Sequence, residues 1–270
     1  MKNNWTGERL ETYVYSKDTI DHLHRYSIVL NYIQGKIVLD IASGEGYGSN
    51  IISDKAEFVY GVDIDETSIK YAQLKYKKDN LKFLVGSTSS IPIDDNSVDV
   101  IVSFETIEHH DEHVEMMNEI KRVLRPNGLL IISTPDKKNY TDKRNFINRF
   151  HVKELYKQEF LDLITQNFNS VQLLTQKYIN GNSIIQEDIL ESEIQIFSGN
   201  YSAISNVIID PFYLIAIASN VSFEKQKISI FDGSEIIQTE FKNRVNEVYH
   251  SNSYRLGHLI LSPFKRLKKK

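Results

Sequence analysis

The chain has 270 residues, 41% apolar and 25% charged, with a formal net charge of −4 and no cysteine. The apolar share excludes a disordered or low-complexity chain, and the missing thiols exclude disulfides, thiolate metal sites and cysteine nucleophiles together. At roughly 100–200 residues per domain, this length fits one large domain or one domain with an elaborate cap. Residues 1–20 contain no apolar run, so no signal peptide is expected. The longest apolar stretches, such as residues 212–218, fall far short of the ~20 residues that span a bilayer. These features point to a reducing, cytoplasmic setting.

In chain order, Ile20, Leu23, Tyr26, Leu30 and Ile33 recur at spacings of three and four and predict an amphipathic helix over 18–33. Short apolar runs follow at 36–41, 58–62, 81–85, 98–104 and 129–133, with helical patterns at 47–54, 66–77 and 112–124 between them. Buried runs separated by helices predict parallel strands in a doubly wound α/β sheet. Pro126-Asn127-Gly128 ends the last of those helices. A helix is predicted at 152–166 and strands at 170–178 and 212–219, leaving 180–211 as a long insertion with enough Ile, Phe and Tyr to pack. At the end, Lys265, Arg266, Lys268, Lys269 and Lys270 form a basic tail; without these five charges the −4 becomes −9 on an acidic body.

The main chemical signal is VLDIASGEGYGS at 38–49. A predicted strand ends in Asp40, and Gly44, Gly46 and Gly48 precede a helix, where a ligand can approach the backbone and free N–H groups. Asp63 ends the next strand, 19 positions after Gly44, where a carboxylate can take both hydroxyls of a ribose. The dinucleotide spacing from Gly44 would need glycine at 49, which is Ser49. Asp40 before the turn would repel a pyrophosphate and favour a cationic ligand. This combination points to S-adenosylmethionine rather than a nicotinamide cofactor.

With these motifs, residues 20–178 resemble a class I S-adenosylmethionine-dependent methyltransferase. In that family's first motif, the acid and glycine places are filled here by Asp40, Ala42, Gly44 and Gly46, with alanine in place of the first glycine. The resemblance implies a Rossmann-like seven-stranded fold with an antiparallel C-terminal edge, with Asp63 on the ribose, Ile64 on the adenine and Ser87 or Thr88 near the adenine amine. SFETIEHH at 103–110 is similar to the family's fourth-strand segment and places Phe104 and Glu105 beside the cofactor, while RVLRPNGLLIISTPD is similar to its fifth-strand signature. A narrower resemblance rests on TGER at 6–9, DHLHRY at 21–26, STPDKKNY at 133–140, FHVKEL at 150–155 and SYRLGHLILSP at 253–263. These segments are similar to a bacterial subfamily found with surface-polysaccharide genes.

Two readings of Arg25 stand side by side. Asp18, Asp21, His22 and Arg25 share one helix face, which is either a solvated polar face with an Asp21–Arg25 pair or a lid whose Arg25 binds the cofactor's carboxylate. Trp5, Tyr13 and Tyr15 would add cover to such a lid. The His, Asp and Glu cluster at 108–113 invites a metal reading, but Asp111 more simply caps the next helix and no metal is expected. His109 is either a general base for the acceptor or a histidine bonded at a strand end. Tyr140 and His151 are further acceptor-site candidates.

The expected organisation is a lid segment at 1–17, a methyltransferase domain at 18–220 with the acceptor site capped by 180–211, and an extension at 221–270. The expected acceptor is a sugar or sugar phosphate of surface-glycan synthesis, or another small metabolite. A nicotinamide oxidoreductase and a non-catalytic binding module are the rivals. Nucleic acid is not expected as a partner, because the body is acidic. A homodimer and a basic tail resting on the inner face of a membrane remain open.

Overall fold

The computed structural model describes residues 10–188 and 194–267, with side chains to residue 260. Five strands, β1 (Ile37–Ile41), β2 (Phe58–Asp63), β3 (Leu81–Val85), β4 (Val98–Ser103) and β5 (Leu124–Pro135), pair in parallel in the order β3-β2-β1-β4-β5. Helices α1 (Lys17–Val29), α2 (Tyr47–Ile52), α3 (Glu66–Lys75), α4 (His113–Val123) and α5 (Lys157–Thr165) flank them. The central strands β1 and β4 are largely buried because both faces of the sheet are covered there, whereas the edge strand β3 buries only Phe83. Val38 packs in one core with Tyr26, Ile28 and Ile52, while its neighbour Leu39 packs in the other with Met116, Ile120 and Phe160, as the two-residue pleat demands.

Beyond β5 the sheet reverses. Strand β10 (Tyr213–Ser219) lies antiparallel between β5 and β6 (Ser170–Ile179). All seven residues of β10 are buried, so it is an interior strand and not part of an edge pair. Two more strands, β7 (Asn182–Glu187) and β11 (Ser229–Asp232), extend the sheet to nine, in contrast to the seven expected. Asn180 and Gly181 explain the first addition. Their φ values of 46° and 90° make the two-residue turn that joins twisted strands tightly, so β6 runs straight into β7.

The expected cap over 180–211 is therefore corrected. Its first part is sheet; a second part is a fully exposed hairpin of β8 (Phe197–Asn200) and β9 (Ala203–Asn206). Residues 189–193 of the insertion lie outside the described residues. Helices α6 (Ser234–His250) and α7 (Asn252–Leu267) follow, and no described side chain of either is buried. No helix of the described residues is long and apolar enough to cross a membrane.

Candidate active site

The parallel strands end on one side of the sheet, and a cavity of about 480 Å³ opens there, at the place where α/β sheets receive ligands. Its first wall is the turn after β1. Ala42, Gly44 and Gly46 all have positive φ, at 61°, 54° and 82°. This conformation favours glycine, so alanine at 42 is held there at some strain. Gly44 donates its N–H to Asp63 Oδ2 at 2.8 Å, which clamps the turn to the tip of β2. Ala42, Gly44 and Asp63 line the cavity, together with Ile64, Ser87 and Thr88. Ile64 is 71% exposed, an apolar surface available to a flat ring. Thr88 Oγ1 lies 3.3 Å from His110 Nε2.

Gly46 and Asp40 stand behind this wall. A Cβ on Gly46 would come within 2.6 Å of the Phe83 ring, so close packing requires glycine there. Asp40 is 1% exposed and does not line the cavity. The Ser49 hydroxyl donates to it at 2.7 Å and the Tyr26 hydroxyl at 3.2 Å. Burial pushes its pKa from 3.8 to about 7 against those two bonds. The expectation that Asp40 faces a cationic ligand is thus corrected: its carboxyl ties α1 and α2 together beneath the turn. Ser49, which occupies the place of a dinucleotide glycine, is one of its anchors.

Helix α1 supplies the closed end. Ser16 caps it by accepting from the Asp18 N–H, and the Thr19 side chain accepts from the Ser16 N–H in return. Its polar face is mostly withdrawn from solvent: of Asp18, Asp21, His22 and Arg25, only Asp18 is exposed. Asp21 and Arg25 are 1% and 0% exposed, and Asp21 pairs with Lys17 at 2.7 Å. Arg25 donates from Nη1 to Gln176 Oε1 at 2.8 Å, lies 3.7 Å from Glu105 Oε1 and sits over the Tyr213 ring at 4.7 Å. Its Nε and Nη2 donate to no protein group. Phe104, Glu105 and Tyr213 separate Arg25 from the cavity they line. Glu105 takes φ 51° at the end of β4, and the Ser133 hydroxyl donates to its carboxylate at 2.6 Å. Leu10 lines the cavity, and Thr12 donates to Glu45 at 3.1 Å, drawing this segment across the glycine turn. Tyr13 is 45% exposed and does not line the cavity; Trp5 lies outside the described residues.

The opposite wall joins His109, Tyr140 and His151, brought together from three chain segments. The carbonyl of Glu108 accepts from Val152 and Lys153, fixing the loop that carries His151 to the turn that carries His109. The two imidazoles meet edge to face at 5.2 Å, and Tyr140 stacks on His151 at 5.6 Å. His109 Nδ1 donates to the Phe150 carbonyl at 3.0 Å. His151 Nδ1 donates to Glu154 at 2.5 Å, and its Nε2 accepts from Asn148 Nδ2 at 2.9 Å. In the neutral form of each ring these bonds hold the proton on Nδ1 and leave the lone pair on Nε2.

Glu108, buried behind them, is pushed well above the usual carboxylate range, by desolvation first and by the Glu105 charge second. Asp111 does not cap α4; the helix starts after Glu112 without a side-chain cap. Instead His113 Nε2 donates to the Ile107 and His110 carbonyls, both at 2.9 Å. Sequence reasoning weighed Glu108 only within the 108–113 cluster and did not single out Asn148, Tyr213 or Gln176. The last three arrive from distant strands and loops with no local signal.

With this geometry in view, the architecture is the class I methyltransferase fold. A solved SAM-dependent methyltransferase of Thermotoga maritima, described as a possible histamine N-methyltransferase, superposes with a TM-score of 0.55 at 16% identity, covering 76% of this chain and 92% of that one. Residues 39–132, which contain the glycine turn, Asp63 and the EHH turn, match the family described as a methyltransferase domain. A probable S-adenosylmethionine-dependent methyltransferase of Mycolicibacterium smegmatis is 34% identical over 140 residues, 52% of this chain and 54% of the relative. A phthiotriol/phenolphthiotriol dimycocerosates methyltransferase of Mycobacterium ulcerans is 28% identical over 151 residues, 52% of each chain. The chain thus spans about half the length of these curated relatives.

Proposed function

We propose that the chain is an S-adenosylmethionine-dependent methyltransferase acting on a hydroxyl of a small acceptor. The observation that carries this is the glycine turn clamped to Asp63, with Glu105 lining the same cavity beside the buried Arg25. The Nε and Nη2 donors of Arg25 have no protein acceptor, and the Glu105 carboxylate stands 3.7 Å away. Glu105 lines the cavity and matches the ammonium of an amino-acid zwitterion, while Arg25 stands behind it as the counter-ion that holds its carboxylate. Asp63 and Ile64 would hold the ribose and adenine, and the Ala42–Gly46 turn admits the chain between them.

The bound sulfonium supplies an already activated methyl group. The protein's part is to position, to exclude water and to prepare the acceptor. Leu10 and the Thr12–Glu45 bonds close the N-terminal segment over the turn. His109 turns an Nε2 lone pair toward the acceptor side and activates the hydroxyl.

The acceptor we propose is a sugar or sugar phosphate of surface-glycan assembly. Support comes from the polar and aromatic wall of Tyr140, Asn148 and His151 and from the motif resemblance outside the core. A lipid acceptor is the second reading, favoured by the likeness to the phthiotriol enzyme. We propose further that the tail rests on an acidic membrane surface, since Leu256, Leu259 and Ile260 of α7 are exposed beside the basic end.

Calorimetric titration with S-adenosylmethionine and with NAD tests the reading. We expect heat from the first alone, and an affinity about tenfold lower in Asp63→Asn. His109→Ala should keep that affinity while turnover falls about 10²–10⁴-fold. Binding of NAD, or unchanged turnover in His109→Ala, would overturn the corresponding assignment.

A further inference from the structure

The acceptor wall holds more acceptors than donors. Glu108 is 1% exposed; its Oε2 accepts from the Thr134 hydroxyl at 3.2 Å, but its Oε1 accepts from no protein group. That oxygen lies 3.9 Å from His109 Nε2. One oxygen of Glu108 and one nitrogen each of His109 and His151 lie within 4.8 Å of one another. The proton of His109 is held on Nδ1 by a backbone carbonyl, and that of His151 by the Glu154 carboxylate. With Glu108 ionised, these three side chains therefore offer acceptors and no donor to one another, an arrangement that a cation satisfies. Histidines that ligate metals show this same outer arrangement, the far nitrogen donating to a carbonyl or a carboxylate.

We propose that Glu108, His109 and His151 hold a divalent metal cation on the acceptor side of the cavity. Two imidazoles and one carboxylate suit a first-row cation such as Mn²⁺ or Co²⁺. Ligand distances of about 2.0–2.2 Å require the three groups to close by under an ångström, with His151 exchanging its Asn148 bond for the metal. Three protein ligands leave positions open for acceptor oxygens, and a pair of neighbouring hydroxyls fills two of them. This site deepens the methyltransferase reading and rests on it for its role.

A hydroxyl on the cation is a stronger acid. Its proton leaves to water, the oxygen lone pair forms the new C–O bond, and the S–CH3 bond electrons stay on sulfur as a neutral thioether. Activation by His109 then runs through the cation rather than by direct proton transfer.

The test is titration of the chelator-treated full chain with Mn²⁺, read by the loss of the free-ion electron paramagnetic resonance signal. One Mn²⁺ per chain is expected, bound at least about tenfold more weakly in Glu108→Gln, His109→Gln and His151→Gln, and unchanged in His110→Ala. Melting curves confirm that each variant is folded, and the three separate substitutions keep the test intact if one fails to fold. No binding at millimolar Mn²⁺, or equal binding in all variants, overturns the proposal. S-adenosylmethionine is titrated in parallel. Cofactor binding without Mn²⁺ binding removes the metal site alone, whereas Mn²⁺ binding without cofactor binding removes the methyltransferase reading alone.

Discussion

Asp40 shows how a single buried carboxyl sets a pH dependence. In the folded chain it holds its proton up to about pH 7, against 3.8 for the free group. Between about pH 4 and 7 the folded state binds a proton that the unfolded state has released, so stability falls as pH rises through that window. Above it the cost of the buried charge is fully present. Asp40→Asn removes that charge and leaves an amide able to meet the Ser49 and Tyr26 hydroxyls. Its melting temperature should exceed the parent's at about pH 8 and match it at about pH 4. Equal differences at both pH values would show that Asp40 is ionised throughout.

At the scale of elements, the contact between α1 and α2 decides whether the glycine turn is held in place. A Cβ on Gly48 would fall 1.9 Å from the Tyr26 ring. That ring cannot swing away cheaply, since it packs edge-on against Tyr47 and Phe104 and donates to Asp40. Gly48→Ala should cost about 1–3 kcal/mol in denaturant unfolding and should weaken cofactor binding, because the displaced helix carries Arg25. The strands and helices of the first 135 residues were legible in the sequence, since their apolar periods are local. Asp63 and the turn were legible for the same reason. Less so was anything that depends on partners far along the chain. The face of α1 leaves the solvated and the cofactor-binding readings side by side because its charges meet Gln176 and Tyr213 only after β6 and β10 are laid down. The 180–211 insertion reads as a cap because the Asn180-Gly181 turn is outweighed by the mixed polarity after it. His109 and His151, 42 positions apart, share a wall through backbone bonds that leave no mark in composition.

Across the whole molecule, the sheet body holds the buried core and the terminal helices α6 and α7 add no described side chain to it. Removal of residues 252–270 should therefore leave the melting temperature unchanged. Full-length protein should sediment with anionic vesicles and the shortened chain should not, each basic residue contributing roughly 1 kcal/mol at the surface. Equal sedimentation would dismiss the membrane role. Strand β10 is the opposite case. Residues 213–219 lie between β5 and β6, two strands that finish at 135 and 179. During synthesis the ribosome therefore releases both neighbours before the strand that joins them, and each waits with an open hydrogen-bonding edge. The late strand also carries Tyr213, which packs on Arg25. The closed end of the cavity is thus completed only when the sheet itself is sealed, so a nascent chain lacks a finished site until its last interior strand arrives.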